Sequence, residues 1–281
     1  MKQLLFICLL LLPTTPLFAA EPLEHENALH LEWGGEWIAD SYLSPLLYSG
    51  QYIRIGNEWW QPFRQSKIQT WNRTQGEWNH VGNVKLSGGR CFNIAYSNRI
   101  YNLGVQGGWG AMYSWTWNAE SISPILPEIT LMLGPYADFD FRMREISNNV
   151  NKPYSFDIGL DADVILGASC VFRCKSTAYR LRYLATANIV GIEWLPDYWT
   201  SYYEVSEGVN VKGSIAFSHP INRHNLHQQL TLDLQFKRVT WRLGVSHEYL
   251  RYGRKGMLFS NQSVGVMTGL VWKYKAERSQ L

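Results

Sequence analysis

The residues whose types could do chemistry are few and dispersed. His247, Glu248, Ser260 and Asn261 supply the groups of a lipid hydrolase, which needs a serine made nucleophilic by a histidine within hydrogen-bond reach and an acid or amide to orient that histidine. A compact His-x-Ser-Asn arrangement is absent, because Leu258 stands two residues before Ser260. We therefore read His247 as part of an interfacial face and Ser260 as a loop or strand-end residue, and assign no catalytic group. His219, His224 and His227 cluster around Pro220, where one turn could bring two imidazoles together, but a polar surface loop accounts for them equally well. His25-Glu26 and His247-Glu248 do not continue to His-Glu-x-x-His, since Leu29 and Arg251 occupy the position of the second histidine. With no Gly-x-Ser-x-Gly, phosphate loop or Cys-x-x-Cys either, no metal and no cofactor is assigned, and the protein is not expected to be an enzyme.

The charged residues follow a rule of their own. Asp157, Asp161 and Asp163 alternate with Phe156, Ile158, Leu160, Ala162 and Val164. Arg180 and Arg182 alternate with Tyr179, Leu181 and Tyr183, Asp233 lies between Leu232 and Leu234, and Arg242 between Trp241 and Leu243. Period two is the signature of a strand with one apolar and one polar face. It recurs at Ile53 to Ile55 and from Val211 to Phe217, with Lys212 on the polar side. Turn signals at Gly134-Pro135, Ser87-Gly88-Gly89, Ser147-Asn148-Asn149, Glu207-Gly208 and Gly253 to Gly256 divide these runs into segments of roughly 9 to 16 residues. No helical stripe of comparable length and no internal repeat occurs, so the reading is a single all-β domain.

Alternation fits two architectures, a soluble sandwich with its apolar faces together and an antiparallel transmembrane β-barrel with its apolar face to lipid. Three features favour the barrel. The segments reach the roughly 9 to 11 residues needed to cross a bilayer when tilted. Aromatic residues crowd strand ends at Trp59-Trp60, Trp115 with Trp117, and Trp272 with Tyr274, as interfacial girdles do. Residues Met267 to Tyr274 also resemble the terminal signal of outer-membrane barrels. Runs number ten to fifteen, depending on whether Leu29 to Ala39 and Ile189 to Val205 span. Even numbers hold for single-chain bacterial barrels, and twelve strands are expected, within ten to fourteen. Asp157, Asp161, Asp163, Arg180, Arg182, Asp233 and Arg242 would then share a narrow lumen, where opposite charges pair and fill it.

Lys2, the apolar run Leu4 to Leu12 and the small Ala19 and Ala20 read as a signal peptide over residues 1–20, leaving 21–281 as one exported barrel domain in the outer membrane. No later stretch is apolar and long enough for a membrane helix. Cys170 and Cys174 flank a turn signal, which suits either a small disulfide loop or free thiols, and Cys91 is left over. With 26 basic and 23 acidic residues the charge is too balanced for a nucleic-acid partner.

Two stretches carry a family resemblance: Asp40-Ser41-Tyr42-Leu43-Ser44-Pro45 through Gly50, and Gly191-Ile192-Glu193-Trp194 through Ser201-Tyr202-Tyr203-Glu204. With Thr231 to Leu234, Trp241 to Gly244 and Phe259-Ser260-Asn261, they resemble an uncharacterised Bacteroidetes family of exported proteins, a domain of unknown function with a Ser-Tyr-Tyr-Glu motif. The resemblance implies an outer-membrane β-barrel without established catalytic residues. It also suggests an accessory subunit of an outer-membrane complex, for barrel assembly or surface export, with lipid and lipoprotein or complex subunits as partners. Trp194, Tyr198, Trp199, Tyr202, Tyr203 and Glu204 are the candidate interaction or structural residues. A small pore for ions or solutes and a lipid-modifying barrel are the alternatives.

Overall fold

Alternating sequences of this kind leave each strand with two incompatible faces, and a closed ring is the arrangement that separates them without leaving an open sheet edge. The computed structural model describes residues 24–63, 68–70, 74–93, 95, 98–118, 128–146, 154–174, 177–194, 215–236, 239–254 and 257–275. Its strands are β1 (Glu24–Asp40), β2 (Ser44–Pro62), β3 (Ile68–Thr70), β4 (Thr74–Asn93), β5 (Asn98–Asn118), β6 (Glu128–Ile146), β7 (Tyr154–Cys174), β8 (Thr177–Trp194), β9 (Ile215–Ser218), β10 (Arg223–Gln235), β11 (Thr240–Arg254) and β12 (Met257–Lys275). All pairings are antiparallel, and the ring closes because β1 pairs with both β2 and β12 while β10 pairs with both β8 and β11.

Ten strands make the ring, so the expected twelve is corrected to ten among the described residues. The short β3 pairs only with β4, outside the ring. β9 extends the edge of β8 already used by β10, pairing with Gly191 to Trp194. Two expected turns lie inside strands instead: Ser87-Gly88-Gly89 within β4 and Gly134-Pro135 within β6. Gly134 is needed there, since a side chain would overlap the backbone of Ala111 and Met112. The expected segments consequently fuse into ring strands of 13 to 21 residues. Leu29 to Ala39 forms most of β1 and pairs along its whole length.

The ring is apolar outside and charged inside, the reverse of a soluble core. Along β6, Leu131, Leu133, Ala137 and Phe139 are exposed while Asp138, Asp140, Arg142 and Arg144 are buried. Leu31 is 50% exposed midway along β1, between the buried His30 and Glu32. β10, the shortest ring strand, is about 43 Å long at about 3.3 Å per residue and still clears a hydrocarbon core of about 30 Å at a tilt near 45°. Cys170 and Cys174 stand four residues apart on the single strand β7. That separation is about 13 Å, beyond disulfide reach, and Cys170 is a free thiol. The segment 1–20 read as a signal peptide lies outside the described residues.

Candidate functional site: the charged lumen

At the end where β1 begins and β12 finishes, Arg242 is fully buried and organises four strands. Its Nε and Nη2 donate to the two carboxylate oxygens of Asp233 at 2.7 and 2.9 Å, its Nη1 to Glu58 at 2.9 Å, and Nη2 also to Glu26 at 3.2 Å. Arg180 and Arg182 approach the same Glu26 at 2.8 and 3.0 Å, with Arg182 lying over the Trp60 ring. Such fork-shaped pairing is what guanidinium groups do best when removed from water.

The middle of the lumen continues the network. Arg54 donates to Glu32 at 2.9 Å and to Glu248 at 2.5 Å, while Lys85 reaches Glu248 at 3.4 Å. Glu32 also accepts from Ser246 at 2.6 Å and from the Tyr52 hydroxyl. His227 stands between two carboxylates, its Nδ1 3.1 Å from Glu248 and its Nε2 3.8 Å from Asp138. Deeper still, Arg223 pairs with Asp161 at 3.0 Å and Glu193 at 3.2 Å. Here two glycines are required by close approach. A side chain at Gly159 would overlap the Arg223 guanidinium, and one at Gly191 would overlap the Asp161 carboxylate.

At the far end Arg144 pairs with Asp40 at 2.8 Å and with Asp157, and lies 3.9 Å over the Phe259 ring. Around it Ile38, Tyr48, Ile100, Ile146, Leu250 and Tyr252 pack as an apolar cluster at that end of the interior. A second apolar cluster, Val81, Met112, Met132, Tyr136 and Ile165, sits against the wall nearer the start of β1, packed by Trp60 and Leu184. A cavity of about 60 Å³ remains beside it, lined by Glu58, Lys85, Tyr136, Asp138, His227 and Glu248 among others. That is room for a few waters.

Of the sequence-derived lumen residues, Asp157, Asp161, Asp163, Arg182, Asp233 and Arg242 are buried in the ring, and Arg180 is partly buried at the terminal end. Lys212 lies outside the described residues. Sequence reading missed Glu26, Glu32, Asp138, Asp140, Arg144 and Arg223, although Ala137 to Arg144 alternates without a break and carries the same signal. Trp194 ends β8 opposite Ile215 and Ile158, whereas Tyr198, Trp199, Tyr202, Tyr203 and Glu204 lie outside the described residues. The hydrolase candidates divide between faces. Glu248 and Asn261 are buried in the lumen while His247 points outward to Gln262, and the ladder puts Ser260 opposite Arg251, four positions from His247. His224 and His227 likewise point to opposite sides of β10.

The family described as a protein of unknown function, DUF3316, matches residues 3–280. The chain belongs to the DUF3316 family. No curated protein matches it. Solved structures similar to the DUF3316 barrel include the transport unit of the autotransporter AIDA-I from Escherichia coli, at 7% identity over 91% of this chain and 93% of that one, with a TM-score of 0.43. A bacterial polysaccharide outer membrane secretin is 10% identical over 88% and 98% of the two chains, with a TM-score of 0.27. The Pseudomonas putida toluene transporter TodX is 9% identical over 90% of each chain, with a TM-score of 0.25. The transmembrane character of the DUF3316 barrel rests on its own closed ring, apolar exterior and charged interior.

Proposed function

We propose that this DUF3316 protein is an integral outer-membrane barrel with a structural or interaction role, an accessory subunit that docks a lipoprotein or a larger outer-membrane complex through its exposed rims. The observation that supports this is the filled lumen. Ion pairs centred on Arg242, Arg54, Arg223 and Arg144 follow one another along the interior, and an apolar cluster packs inside the far end. A diffusion pore needs a continuous wet path, and ion pairs that reach across the ring, such as Glu26 with Arg182 and Arg54 with Glu248, obstruct one. Lipid contact is assigned to the outward apolar band, and the partner contact to the strand ends and the segments joining them.

Two measurements test the reading. Barrel purified in mild detergent and inserted into planar bilayers is expected to give no conductance above background; stable unitary currents would replace this reading with a pore. Affinity purification from native membranes is expected to recover stoichiometric partners. A solitary barrel at every detergent strength would overturn the docking role.

A further inference from the structure

The outer face of the ring is not apolar throughout. Near the far end, where β4 finishes and β5 begins, Arg90 and Arg99 point outward and are exposed. The ladder sets Arg90 opposite Tyr101 and Phe92 opposite Arg99, so the two arginines are diagonal neighbours. Both guanidiniums lie against the one Phe92 ring, Arg90 at 4.7 Å and Arg99 at 5.9 Å from its centroid, and Arg90 is also 5.6 Å from the Tyr101 ring. On the other side of β4 the exposed Gln51 stands opposite Arg90, and the exposed Ser49 opposite Phe92. Among the described residues none of these four polar side chains has a hydrogen-bond or ion-pair partner. The outward carboxylate closest in register is Glu145, opposite Tyr101 and diagonal to Arg99, and it pairs with neither arginine. Along the same end of β2, β1 and β12 the outward residues include no Asp or Glu. A groove of about 360 Å³ opens beside this patch, lined by Trp37, Leu47, Ser260, Gln262 and Val264. Trp37 is opposite Ser49, which is opposite Phe92, so groove and arginines are two strands, about 10 Å, apart.

We propose that this patch binds a net-anionic phospholipid, its phosphate held by Arg90 and Arg99 and its glycerol and acyl portion laid against the groove. Guanidinium groups recognise phosphate oxygens through paired N–H donors, and Gln51 and Ser49 add neutral donors beside them. An arginine facing lipid is costly at the bilayer midplane and tolerated near the interface, where lipid phosphates lie. Arg90 stands three residues before the end of β4, and Arg99 is the second residue of β5. Trp37, Leu47 and Val264 offer apolar surface while Ser260 and Gln262 offer hydrogen-bonding groups, which suits the change from ester to hydrocarbon along a lipid. The site rests on the ring lying in a bilayer and not on what the rims dock, so a barrel that purifies alone leaves it standing.

The test titrates the full barrel in neutral detergent with dioleoyl phosphatidic acid and with dioleoyl phosphatidylcholine, counting retained lipid by native mass spectrometry. One phosphatidic acid is expected to be retained in preference to phosphatidylcholine. Arg90→Gln and Arg99→Gln should each weaken its binding about fivefold. Arg251→Gln, which removes an exposed charge four strands from β4, should leave it unchanged. No retention of phosphatidic acid, equal retention of the two lipids, or equal loss in Arg251→Gln would overturn the site. Displacement by an equal concentration of inorganic phosphate would overturn it too, by making it a site for free anions. Should an arginine variant fail to fold, a photoreactive phosphatidic acid decides on the wild type. Labels concentrated in residues 35–51 and 90–101 support the site, and labels spread evenly around the ring overturn it.

Discussion

Replacing Arg242 with methionine asks whether the lumen behaves as a dry interior or as a wet channel. The guanidinium makes four contacts to three carboxylates and is fully buried. After its loss Glu26 retains Arg180 and Arg182, and Glu58 retains the Gln229 amide at 2.8 Å. Asp233 loses both of its contacts and carries most of the penalty. Breaking a buried pair by removing one partner costs about 3–5 kcal/mol. An exposed or water-bathed pair is worth about 0–1 kcal/mol. The two regimes therefore differ by two to three orders of magnitude in the folding constant, at about 1.4 kcal/mol per factor of ten. Reversible urea unfolding in lipid vesicles, followed by tryptophan fluorescence, measures the difference. A double variant, Arg242→Met with Asp233→Leu, is expected to recover most of the loss, since it removes the stranded charge together with its partner. A cost below about 1 kcal/mol for Arg242→Met, or no recovery in the double variant, would refute a desolvated lumen and with it the argument against a pore.

Three further outcomes follow from the two faces of the ring. Gly191→Ala is expected to destabilise the barrel by about 1–3 kcal/mol in the same unfolding assay, because the new methyl overlaps Asp161 and lies 2.6 Å from Ser218 Oγ and 2.7 Å from the Leu160 carbonyl. Gly88→Ala, with nothing within 4 Å of the new carbon, is expected to be neutral or slightly stabilising. Leu31→Arg on the outer face should cost about 2–4 kcal/mol in vesicles, and a cost near zero would mean that β1 does not face lipid at that depth.

Much of this was legible in the residue order. The alternation of Phe156 to Val164 and of Tyr179 to Tyr183 assigned faces that match those of β7 and the first half of β8. The errors came from glycine. Ser87-Gly88-Gly89 and Gly134-Pro135 carry turn composition, yet inside a closed ring their ladders are held by neighbours on both sides, and the missing side chains admit a crossing backbone or a Glu36 carboxylate. Local composition cannot distinguish a glycine that turns the chain from one that makes room across a lumen. The ring of ten lies within the expected ten to fourteen, and the central figure of twelve was too high for the same reason and also because β9 and β10 share one edge of β8, a fact of long-range pairing.

The sequence by itself determined that one face of each strand is apolar and the other charged, because period two is a local property of the pleat. Only the tertiary structure decided which charges meet. Arg242 reaches Glu26 across 216 residues and Arg54 reaches Glu248 across 194, and those pairings depend on ring closure and register, which no local pattern encodes. The same closure left Asp163 without a partner, since the registers that bring Arg223 to Asp161 set the next inward carboxylate beyond its reach.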